Sequence, residues 1–168
     1  MDSLQWGEAV DGLQISISIA DSSKSGVPEF QVALRNSGEH DVSLNIGSML
    51  AGGKVQLPDK ISFSLIDATG KTRALHFSDR RYPAVVGRMD NYIVPLRSGS
   101  IYTMTIGLDQ MFSMDISDFA TKLPPGKYQI TAQYQGTGAQ HPNLDMPGIK
   151  LMNFWLGKLQ SNTLSVEK

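Results

Sequence analysis

Residues 123 to 134 read Leu-Pro-Pro-Gly-Lys-Tyr-Gln-Ile-Thr-Ala-Gln-Tyr, a stop signal followed by strict alternation. Pro124, Pro125 and Gly126 break whatever precedes them. Tyr128, Ile130, Ala132 and Tyr134 then share one face of an extended chain, while Lys127, Gln129, Thr131 and Gln133 share the other. That pattern is a half-buried antiparallel strand, and it requires an apolar inner layer to pack against.

The same period returns along the chain. Leu13, Ile15, Ile17 and Ile19 alternate with Gln14, Ser16 and Ser18. Phe30, Val32 and Leu34 alternate up to Asn36-Ser37-Gly38, and the pattern resumes through Val42, Leu44 and Ile46, which predicts a hairpin. Asn36 continues the inward phase, so its carboxamide is expected to satisfy backbone groups at the turn. Ile61, Phe63 and Leu65 turn at Asp67-Ala68-Thr69-Gly70 and return through Arg73, Leu75 and Phe77, a second predicted hairpin. A short apolar piece, Tyr92 to Leu96, leads through Arg97-Ser98-Gly99-Ser100 into a strand with Tyr102, Met104 and Ile106 inward. Leu159 to Val166 ends the series, with Leu164 and Val166 inward. One helix is predicted over 115–123, because Ile116, Phe119, Ala120 and Leu123 keep helical spacing, Ser113 or Asp115 can cap it, and Pro124 stops it.

Composition agrees with this reading. The 168 residues are 40% hydrophobic and 18% charged, with Gly 16 and Pro 8, which suits a turn-rich all-β chain. The length fits one domain spanning 1–168, large enough to bury roughly 70% of the surface of the unfolded chain. Net charge is −1, so no overall field collects nucleic acid or an anionic membrane. Cysteine is absent, which removes disulfides, thiolate metal sites and a cysteine nucleophile together. No apolar run approaches the length of about 18 residues that spans a bilayer, so no membrane insertion is expected.

Short strands, turns and one capping helix predict two antiparallel sheets face to face, a β-sandwich of about seven to nine strands. Leu123-Pro124-Pro125-Gly126-Lys127-Tyr128 resembles the tyrosine corner of immunoglobulin-like and fibronectin type III-like sandwiches. The resemblance implies a structural role for Tyr128, its hydroxyl bonding to backbone near the Leu123 to Pro125 corner. The succession of turns from Phe30 to Tyr134 also resembles the bacterial intracellular serine-protease inhibitor family, which implies an exposed inhibitory loop. The ending from Trp155 to Val166 resembles the last strands of immunoglobulin-like modules in bacterial exported proteins, which implies a periplasmic or extracellular location.

Chemical motifs are sparse. His40, His76 and His141 fall in a turn, a strand and a loop without ligand spacing, and no metal or cofactor is expected. Gly47-Ser48 and Gly99-Ser100 do not complete a nucleophile-elbow motif. Asp109, Asp115 and Asp118 miss the calcium-loop spacing, and the last two suit the start of a helix. Arg80, Arg81 and Arg88 gather around Tyr82, either as a solvated loop or as a contact for an anionic or glycan partner. Phe154 and Trp155, with Met146 and Met152, form either a hydrophobic recognition loop or a segment folded back into the core. The expected function is therefore non-enzymatic: an interaction or structural module binding a protein or glycan through its loops, with Tyr82, Arg80, Arg81, Arg88, Phe154 and Trp155 as binding candidates. The alternative is a protease inhibitor. Oligomeric state is not encoded in any motif.

Overall fold

The computed structural model describes residues 4–20, 27–78, 89–114, 123–139 and 152–167. Among these are twelve strands: β1 (Leu13–Ile19), β2 (Glu29–Asn36), β3 (Val42–Leu50), β4 (Val55–Leu57), β5 (Ile61–Asp67), β6 (Thr72–Phe77), β7 (Asp90–Leu96), β8 (Ile101–Gly107), β9 (Met111–Phe112), β10 (Lys127–Gly136), β11 (Gly157–Gln160) and β12 (Leu164–Glu167). The number exceeds the expected seven to nine because β4 and β9 are too short to show a period and the last predicted strand is split in two. The predicted helix falls on residues 115–122, which lie outside the described residues apart from its end at Leu123.

All pairings between these strands are antiparallel, and they build three sheets. One sheet has the order β1-β2-β8 and another β4-β3-β7. The largest has the order β11-β10-β5-β6-β9, with β12 also on β10. The fold is all-β and sandwich-like. Its layers meet through inward rows: Leu13, Ile15 and Ile17 on β1, Phe30, Val32 and Leu34 on β2, and Ile61, Phe63 and Leu65 on β5 are all buried in one core. Phe30 meets Phe63 edge to face, ring centroids 5.5 Å apart and planes at 86°, so β2 and β5 lie on opposed layers.

The predicted second hairpin is β5-β6, with Ser62↔His76 through Ile66↔Thr72 in register. The predicted first hairpin is not formed. β2 and β3 follow one another in the chain but belong to different sheets, β2 already lying between β1 and β8. The chain crosses between layers at Asn36, which is buried. Its Nδ2 donates to the carbonyls of His40 (2.9 Å) and Leu96 (3.0 Å), and its Oδ1 accepts from the Gly38 N–H (3.0 Å). The turn chemistry was legible, but a turn signal does not say whether the chain returns to the same sheet.

β10 organises the largest sheet as its alternation requires. One edge pairs with β5 from Tyr128↔Asp67 to Tyr134↔Ile61. The other edge takes β11 at its end and β12 at its start. Between these two strands Ser161 still holds β10, its N–H donating to the Ala132 carbonyl (2.9 Å) and its hydroxyl accepting from the Ala132 N–H (2.8 Å), and Asn162 reaches the opposite layer. Its Oδ1 accepts from the Ile17 N–H (2.9 Å) and its Nδ2 donates to the Ile17 carbonyl (3.0 Å). A single carboxamide thus pairs with the outer edge of β1 as a strand residue would.

Candidate functional site

Arg80, Arg81, Tyr82 and Arg88, the basic cluster expected to bind, lie outside the described residues, as do His141 and Met146. Asp115 and Asp118 do as well. Phe154 and Trp155 are described, and they differ. The segment carrying them runs beside β3: the Ser43 N–H donates to the Asn153 carbonyl (2.7 Å) and the Trp155 N–H to the Ser43 carbonyl (3.0 Å). Successive side chains on such a segment point to opposite sides. Phe154 is half-buried and lines a shallow cleft with His40, Val42 and Leu156.

Trp155 is turned inward and only 4% exposed, so it offers a partner no ring face. Its indole stacks on Tyr134, centroids 5.7 Å apart at 25°, and its Nε1–H donates to the Val10 carbonyl (3.1 Å). The ring covers Gly136, whose position admits no side chain: a Cβ there would stand 2.4 Å from the Trp155 Cε3. This is the folded-back alternative of the sequence reading. Gly136 was the available signal, because it takes the inward position after Tyr134, where a missing side chain marks close approach by a large neighbour.

Tyr128 is buried, and its hydroxyl donates to the Pro124 carbonyl at 2.6 Å, inside the Leu123 to Pro125 corner. Deeper in the same row the Tyr134 hydroxyl donates to the Asn45 carbonyl (3.1 Å). Burial pushes the Tyr134 phenol well above its ordinary range. Tyr92 is pushed up likewise, first by burial and then by its hydrogen bond with the Tyr102 hydroxyl. Both phenols stay protonated and act as structural donors. Among the described residues, no group of three or more His, Cys, Asp or Glu could hold a metal ion.

The surface that remains is the outer face of the largest sheet, and its residues follow from register. Directly opposed residues share a face. Gln133 lies between Gln160 and Ser62, and Ser62 opposes His76, which opposes Phe112. Thr131 opposes Ser64, which opposes Ala74. Gln129 lies between Ser165 and Ile66, and Ile66 opposes Thr72. Carboxamides and hydroxyls fill these rows on β10, β11 and β12, Ile66, Ala74, His76 and Phe112 interrupt them on β5, β6 and β9, and no formal charge stands between Lys127↔Glu167 at one end and Lys158, opposite Gln135, at the other.

At the Lys127 end the face runs into an open cleft of ≈ 620 Å³ lined by Ile66, Asp67, Lys127, Gln129, Ser165 and Glu167 among others. Asp67 is engaged in its own turn: Oδ1 accepts from the Thr69 hydroxyl (2.6 Å), the Thr69 N–H (2.9 Å) and the Lys71 N–H (3.0 Å). These bonds, the Thr69 hydroxyl first, hold its carboxyl below the ordinary value of 3.8. No single strand reveals this face, because each shows only its own outward residues and only pairing assembles them into a surface.

No protein-family model matches the chain, and no curated protein matches it. Among solved structures, an X-ray structure of Northeast Structural Genomics Consortium target SoR45 aligns over 95% of this chain and 90% of its own, at 14% identity and a TM-score of 0.42.

Proposed function

We propose that the protein is a non-enzymatic interaction module that holds a neutral glycan against the outer face of its largest sheet. The observation that carries this reading is the uncharged array around Gln129, Gln133, Thr131 and Ser64, continuous with the cleft at Gln129 and Ser165. Carboxamides and hydroxyls both donate and accept, which matches the hydroxyl-rich edges of a sugar. Protein interfaces instead concentrate aromatic, Met and Arg side chains at their centre, and this face has none there. The cleft volume lies in the range that holds small ligands. The same reading places the module in an exported bacterial protein, where neutral polysaccharide is encountered.

Affinity electrophoresis and calorimetry with a panel of neutral and acidic polysaccharides test it. A neutral member should bind, and Gln129→Ala or Gln133→Ala should weaken it roughly five- to tenfold, the loss of about one net hydrogen bond each. Binding only to acidic members, or unchanged affinity in both variants, would refute the reading.

A further inference from the structure

β8 is an edge strand without the devices that usually keep edges from pairing. Its register with β2 runs without interruption from Glu29↔Gly107 to Arg35↔Ile101. The Asn36 N–H donates to the Ser100 carbonyl (3.0 Å) and the Leu108 N–H to the Pro28 carbonyl (2.9 Å). These bonds fix the phase: even-numbered residues from 100 to 108 bond to β2, and odd-numbered ones turn their N–H and C=O outward. Gly107 obeys the rule, its outward N–H being taken by Oε1 of Gln110 at 2.8 Å. Ile101, Thr103 and Thr105 keep outward backbone groups that no described residue meets.

The edges at β1, β7, β4 and β9 are closed or blunted. β1 is covered by Val10, by Gly7, whose N–H donates to the Ile15 carbonyl, and by Asn162. On β7, Pro95 opposes Ser43, whose own N–H and C=O turn away towards Asn153 and Trp155, so the missing N–H of Pro95 faces outward. β4 and β9 are three and two residues long. Charge, proline, bulges and brevity are the common protections of an edge. β8, Ile-Tyr-Thr-Met-Thr-Ile-Gly, has no charge, no proline and no bulge. Alongside Tyr102 to Thr105 lies a groove of ≈ 270 Å³ whose other lining residues are Gln56, Pro58, Phe77, Tyr92 and Gln110.

We propose that this edge receives an extended, uncharged peptide segment of a partner protein as an added strand. Outward N–H and C=O groups on alternate residues are complemented by another strand's backbone. The neutral groove selects the strand's side chains: a charged one would lose water and meet no opposite charge, whereas Thr, Ser and Val meet the Thr103 and Thr105 side chains at no such cost. A recess beside the edge admits a single strand more readily than the whole sheet of a second copy. This surface belongs to a different sheet from the glycan face, so the two readings stand or fall separately.

The test is amide hydrogen exchange by NMR on the full chain, titrated with three short synthetic peptides: an alternating Thr-Val sequence, a Lys-substituted version and a Pro-substituted version. The Thr-Val peptide should slow exchange at the Thr103 and Thr105 amides about tenfold or more and leave Tyr102 and Met104, already bonded to β2, unchanged. The other two peptides should not. Thr105→Lys should abolish the effect through charge. Thr103→Pro should weaken it by removing one outward donor without breaking a bond to β2. No slowing with any peptide, or equal slowing in both variants, overturns the proposal. So does slow exchange at Thr103 and Thr105 in the unliganded monomer, which means that the chain covers its own edge. Protection that rises with protein concentration alone overturns it in favour of a second copy.

Discussion

Adding one methyl group at Gly136 tests whether Trp155 is the internal anchor of the segment that runs beside β3. In Gly136→Ala the new Cβ meets Cε3 of the indole at 2.4 Å, Cζ3 at 2.6 Å and the Trp155 carbonyl oxygen at 2.7 Å. All three are closer than real Cβ contacts, and the ring has little room to yield, being stacked on Tyr134 and tied to the Val10 carbonyl. The cost should sit at the upper end of the ~1–3 kcal/mol usual for overpacking. Trp155→Ala, which empties the site and leaves the Val10 carbonyl with the Leu13 N–H alone, should cost ~3–5 kcal/mol. The double variant is decisive. Two of the three clashing atoms belong to the ring, so removing it relieves most of the strain, and the double variant should be more stable than the two single losses predict by at least ~1 kcal/mol. Urea denaturation of the four proteins measures the coupling, since independent sites add to within ~0.5 kcal/mol. Additive losses would show that the ring is not what Gly136 accommodates.

Three further outcomes follow from single groups. Asn36→Ala removes the side-chain donor from the His40 and Leu96 carbonyls and leaves the Gly38 N–H to the Gly12 carbonyl alone, and should lower unfolding free energy by ~2–4 kcal/mol in urea; a loss below ~1 kcal/mol would mean that water replaces the carboxamide. Tyr128→Phe removes the bond to the Pro124 carbonyl and little else, so calorimetry should find the melting temperature lower by about 2–4 °C, the shift that ~1 kcal/mol produces in a chain of this length. Asp67 has a folded-state pKa below 3.8, so its contribution to the Asp67 to Lys71 turn is fully present above that pH and is lost as pH falls through the lower folded value. Amide shifts of Thr69 and Lys71 followed from neutral pH downward should move together with a midpoint below 3.8; a midpoint at or above it would contradict the hydrogen-bond geometry.

What the sequence disclosed is what depends on neighbours along the chain. β5, β6 and β10 could be read from alternation because each has one face inside and one outside, as the row from Tyr128 to Tyr134 shows; β1 has the same period in Leu13, Ile15 and Ile17, although Ser16 on its other face is buried too and Ile19 is exposed. β3 could be read only in part. Leu44, Asn45, Ile46 and Ser48 are all buried, so both its faces are covered and no outward polar row marks its limits. The β2 to β3 crossing reads as a hairpin because Asn36-Ser37-Gly38 has the same turn chemistry either way. Trp155 was ambiguous for a different reason: an aromatic in a Gly- and Pro-rich stretch looks the same whether it faces a partner or the core, and Gly136 and Val10, which decide the matter, are distant in sequence. The outer face of the largest sheet and the open edge of β8 depend on register between strands, which no local pattern contains.

A fold of three sheets must interrupt its ladders wherever the chain changes layer, and each interruption leaves peptide groups to satisfy. Side-chain carboxamides are suited to that task because one group carries both a donor and an acceptor, as a peptide does. Asn36 serves the β2 to β3 crossing, Asn162 the gap between β11 and β12, and Asn45 donates to the Gly138 carbonyl at 2.7 Å beyond the end of β10. Inside the molecule, then, amides substitute for missing backbone and are committed to it. Gln129, Gln133 and Gln160 carry the same group on the outer face of the largest sheet, where β5, β10, β11 and β12 already complete their ladders with one another. Nothing in the sheet needs these three amides, whereas the interior ones could not be changed without loss of stability. Substituting them should therefore leave folding intact, so any loss of glycan affinity in their variants reports on recognition alone.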